Sequence, residues 1–78
     1  MTVWYVTLRG GRPGKTPLSG RFDSEAAARE HAFAAALAEG KVYKQPVYFE
    51  VTRWAHVVAR YHVNANAAPT VVEGALPR

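Results

Sequence analysis

The sequence predicts a small α+β fold: an antiparallel sheet of about three strands, with a short fourth possible, packed on one alanine-rich helix in the order β-α-β-β. Three observations lead to it. β-Branched and aromatic residues dominate from Thr2 to Leu8, and an alanine-rich run with helix signals at both ends fills Phe22 to Gly40. An alternating run follows from Val47 to Thr52. A chain of 78 residues makes a single domain, 1–78, with about two layers.

In the first strand Trp4, Val6 and Leu8 share one face, and Val3, Tyr5 and Thr7 the other. Residues 9–21 follow as a basic Gly/Pro-rich loop, whose glycines and prolines exclude a continuous element. Asp23 or Ser24 is placed to cap the helix, with Glu25 in its first turn. Phe22 is set to staple against Ala27. The helix is expected to run to about Glu39 and stop at Gly40 as a C′ residue. Its buried stripe is read as Ala26, Phe33, Ala36 and Leu37, with Glu25 and Arg29 paired outside.

Val47, Phe49 and Val51 alternate with Tyr48, Glu50 and Thr52 in a strand entered through Pro46. Arg53 to Val63 fits two patterns. Val57, Ala59, Tyr61 and Val63 alternate as in a strand, while Trp54, Val57, Val58 and Tyr61 also fall on one side of a second helix. A hairpin at Thr52 to His56 lacks the Gly or Asn of tight turns. The density of Val, Tyr and His favours the strand. Asn64 to Pro69 is turn-like, Thr70 to Glu73 suits a short edge strand, and 74–78 is expected to fray.

Charge is concentrated in one place. Arg9, Arg12, Lys15 and Arg21 carry +4 without an acidic residue among them, which equals the net charge of the whole chain. Gly14-Lys15-Thr16 invites comparison with a phosphate-binding P-loop. The required earlier glycine is replaced by Arg9, however, and Pro17 bars the helix that should open at the lysine. Gly11-Arg12-Pro13 resembles the core of the AT-hook, a short segment that lies in the minor groove of AT-rich DNA. The resemblance implies Arg12 as the groove-entering arginine. It spans about five residues and departs at Gly14, where that family has a second arginine.

The aromatic residues supply a second line. One helix covers one face of a small sheet, which leaves Tyr5 and Tyr48 on the other, together with Arg60 and His62. Such a face could stack bases or anchor a protein partner, including a second copy of the chain. His31, His56 and His62 form no metal-ligand spacing, and no nucleophile has an argued base, so neither a metal, a cofactor nor an enzyme activity is expected. With no cysteine, no leader-like start and no membrane span, the sequence points to a cytoplasmic protein. The functional expectation is a non-enzymatic protein that contacts nucleic-acid phosphates through Arg9, Arg12, Lys15 and Arg21. The alternative is a protein-interaction module, a homodimeric regulator or an inhibitor, that uses the exposed sheet face.

Overall fold

Five strands and one helix, rather than three or four strands and one helix, make up the fold. The computed structural model describes residues 3–10, 19–42 and 47–76. The elements run β1 (Trp4–Gly10), β2 (Ser19–Phe22), α1 (Glu25–Glu39), β3 (Val47–Arg53), β4 (His56–His62) and β5 (Thr70–Leu76). They form one antiparallel sheet in the order β2-β1-β3-β4-β5. The helix lies across β1 to β4 on one side of it.

The added strand is β2, which pairs Trp4 with Phe22 and Tyr5 with Arg21. It takes both ends of the expected 9–21 loop into the sheet: Arg9 and Gly10 belong to β1, and Ser19 to Arg21 to β2. Arg12 and Lys15, with the Gly11-Arg12-Pro13 and Gly14-Lys15-Thr16 segments, lie outside the described residues. Phe22 packs against the core, and its ring lies 4.9 Å from that of His31. That places Phe22 in the sheet, where a helix staple had been expected.

Val6, Leu8, Val47, Phe49, Val51, Ala59 and Tyr61 form the helix-side core, sealed by Ala28, Ala32 and Ala36. The expected helix stripe was therefore partly wrong. Ala26 is exposed, and Phe33 and Leu37 are about 40% exposed, at 41% and 40%. Three alanines one turn apart bring the helix backbone close to the sheet, and the larger residues fall on its flank. Ser24 is the N-cap, its Oγ accepting from the Ala27 N–H at 3.2 Å. Arg29 pairs with Glu25 at 3.2 Å. Gly40 has φ −60°, so it is not the left-handed C′ residue expected. Glycine is needed there for space: a Cβ would stand 2.5 Å from the Asn64 carbonyl oxygen.

Arg53 to Val63 is strand, which removes the second helix. The β3–β4 turn has only Trp54 and Ala55 between the paired residues Arg53 and His56. It forms without Gly or Asn because Trp54 itself takes φ 58°, the positive φ that those residues usually supply in a two-residue turn. For a bulky L-residue this conformation costs roughly 1–2 kcal/mol. A bulge follows, with Val51 paired to Ala59 and Thr52 to Val57. As a result Val58 packs against the helix-side core, while the buried Val57 lies outside it. Asn64 holds the β4–β5 loop by donating to the Ala68 carbonyl at 3.1 Å and the Thr70 hydroxyl at 2.8 Å. β5 continues to Leu76, past the point where fraying was expected. A second irregularity there places Gly74 at φ 107°.

Candidate nucleic-acid interface

The sheet face turned away from α1 collects side chains from three adjacent strands. β1 contributes Tyr5, Thr7 and Arg9, β3 contributes Tyr48, Glu50 and Thr52, and β4 contributes Arg60 and His62. The register fixes their neighbours, because Arg9 and His62 both pair with Tyr48, and Arg60 pairs with Glu50. Period-two alternation from the buried row Val47, Phe49 and Val51 delivers this set.

At its centre lies Glu50, only 3% exposed. Its carboxylate accepts from Arg9 Nε at 2.8 Å and from Arg60 Nε at 3.2 Å. The Arg60 guanidinium also stands 5.1 Å from the centroid of Tyr48, and the Tyr48 and His62 rings are 5.5 Å apart. A buried carboxylate without partners would be strongly unfavourable, and two charge-assisted hydrogen bonds offset that penalty. The two arginines are thereby held side by side over the sheet. Thr52 donates to the Tyr5 carbonyl at 3.5 Å, and Arg21 extends the face across β2 next to Tyr5.

Of the expected contact residues, those described share this face, while Arg12 and Lys15 lie outside the described residues. Tyr48, Arg60 and His62 touch, and Tyr5 lies on the same face. Arg9 joins them from β1 rather than from a loop, and Arg21 flanks them. Sequence reading missed Glu50 as the group that organises the cluster. The available signal was its phase, shared with Tyr48 and Thr52, which put a carboxylate among aromatic and basic neighbours.

Charge is sorted between the layers. Of six acidic residues, Asp23, Glu25, Glu30 and Glu39 lie on or beside the helix. Glu73 lies on the helix side too, bonded to Arg29. Glu50 alone lies on the far face, under two arginines. Burial pushes the pKa of Arg29 down, but hydrogen bonds to Tyr61, Glu73 and Glu25 outweigh it and raise it above the ordinary value. Arg29 is therefore committed to bracing the helix layer. Among the described residues no group of three or more His, Asp or Glu is arranged to hold a metal ion. No helix there is long and apolar enough to cross a membrane.

The chain matches no family model, no curated protein and no solved structure. The site must be read from its own chemistry. His31 lies against Phe22, His56 opens β4 and His62 sits on Tyr48, three separate settings. The face offers ordered guanidinium groups, exposed or half-buried rings and hydroxyls. That chemistry suits contact with phosphates and with flat aromatic groups.

Proposed function

We propose that the protein binds nucleic acid across the open face of the sheet. Arg9, Arg21 and Arg60 contact phosphates, and Tyr5, Tyr48 and His62 present their rings to bases or sugars. Arg12 and Lys15, between β1 and β2 in sequence, add two further cationic groups to the chain. The observation that carries this reading is the sorting of charge: five of the six acidic residues lie on the helix side of the sheet, and the sixth is bonded to two arginines. A polyanion approaching the opposite face meets cations and rings without facing the carboxylates of the helix. The protein acts by binding, without catalysis.

Five cations offset by Glu50 behave as about four phosphate contacts. The slope of log affinity against log salt is then about −3 to −4 for duplex DNA and about −3 for a single strand. Fluorescence anisotropy with labelled DNA and RNA across a salt series measures it. Arg21→Ala should weaken binding and reduce the slope by about one unit. Binding that is absent, or indifferent to salt, overturns the proposal.

A further inference from the structure

Trp54 is the feature that folding leaves unexplained. It is 77% exposed, so it contributes almost nothing to the core. It also occupies a left-handed backbone conformation that glycine or asparagine would adopt at lower energy. Neither packing nor turn geometry calls for an indole at this position. Strained residues of this kind concentrate where a protein meets a ligand.

Its surroundings indicate the chemistry of that ligand. Arg53 and His56 flank the turn, and no acidic residue occurs between Glu50 and Glu73. The Arg53 guanidinium lies 5.5 Å from the centroid of the Trp4 ring, which fixes a cation at the base of the turn. Trp4 pairs with Arg53 on one side and Phe22 on the other, next to Arg21. Trp4 and Arg53 lie on the helix side of the sheet and Arg21 on the other, so cations stand on both sides of the sheet end that carries the Trp54 turn.

We infer that Trp54 is a base-stacking residue and that the nucleic acid is single-stranded where it passes the β3–β4 turn. This rests on the binding reading above and goes further by naming the form of the ligand. A flat ring beside cations matches an unpaired base beside its phosphate. In a duplex the bases are stacked on one another and present no face to an indole at a turn.

The chain has two tryptophans, so Trp4→Phe leaves Trp54 as the sole indole and its emission as a direct probe. Adding oligo(dT) or oligo(rU) of about ten nucleotides should quench that emission. Trp54→Gly should bind these strands about 5- to 100-fold more weakly, with an unchanged salt slope. The same variant should unfold at a higher urea concentration than the wild type, because the backbone strain is relieved. Trp54→Phe should retain most of the affinity. A structural role for Trp54 would instead lower the urea midpoint of Trp54→Gly and leave its affinity unchanged. Salt-dependent binding by the wild type without quenching, or with Trp54→Gly unaffected, overturns the stacking role and leaves the cationic-face reading standing. Tighter binding to the oligo(dA)·oligo(dT) duplex than to either single strand overturns the single-strand assignment. Absence of binding to every probe overturns both readings.

Discussion

Glu50 is where stability and binding oppose one another. Its carboxylate is buried, but Arg9 beside it is 44% exposed and can recover hydration when the pair is broken. Glu50→Gln should therefore cost about 1 to 2 kcal/mol, less than the loss of a partner from a fully buried pair. The same change releases two guanidinium groups from their shared carboxylate. Nucleic-acid affinity should rise while the urea midpoint falls, and anisotropy and denaturation on one preparation test both signs. Equal or weaker binding by the variant would place the Arg9–Glu50–Arg60 cluster outside the contact surface.

At the scale of elements, the helix end depends on close approach. The Asn64 carbonyl occupies the space that a side chain at position 40 would need. Gly40→Ala should destabilise the fold by about 1 to 3 kcal/mol through overpacking, read as a lower urea midpoint. The sequence revealed β1, β3 and α1 because each carries a periodic pattern long enough to recognise. β2 was hidden because Ser19-Gly20-Arg21-Phe22 has one large apolar residue and a glycine, and becomes a strand only by pairing with β1. The β3–β4 hairpin was favoured only against the lack of a turn residue, since the positive φ falls on a tryptophan. Phe33 and Leu37 were placed in the core on size, although close helix–sheet contact selects alanine at the buried positions.

For the molecule as a whole, composition displayed the cationic excess but not its distribution. Arg9 and Arg21 were legible as contact candidates, as were Tyr5, Tyr48, Arg60 and His62 on a common face. Their convergence was not, because it depends on β1 standing between β2 and β3. The layered separation of charge likewise emerges only once the helix is placed on one side and Glu50 on the other. Trp54 drew no functional reading because its significance lies in exposure and backbone conformation, neither of which a residue pattern reports.

The sheet is open, with β2 and β5 at its edges, and an edge invites other chains to pair with it. β2 is only four residues long. β5 has seven, including the part-exposed Val71 and Val72, and no lysine or proline. Gly74, at φ 107°, interrupts it with an irregularity in register that keeps the strand from presenting a long flat border. Gly74→Val would force the strand toward regular extension. It should produce assemblies that scatter light and bind thioflavin T at concentrations where the wild type stays dispersed. A glycine whose added Cβ would meet nothing within 4 Å would then be the residue that keeps one copy of this sheet from becoming the template for the next.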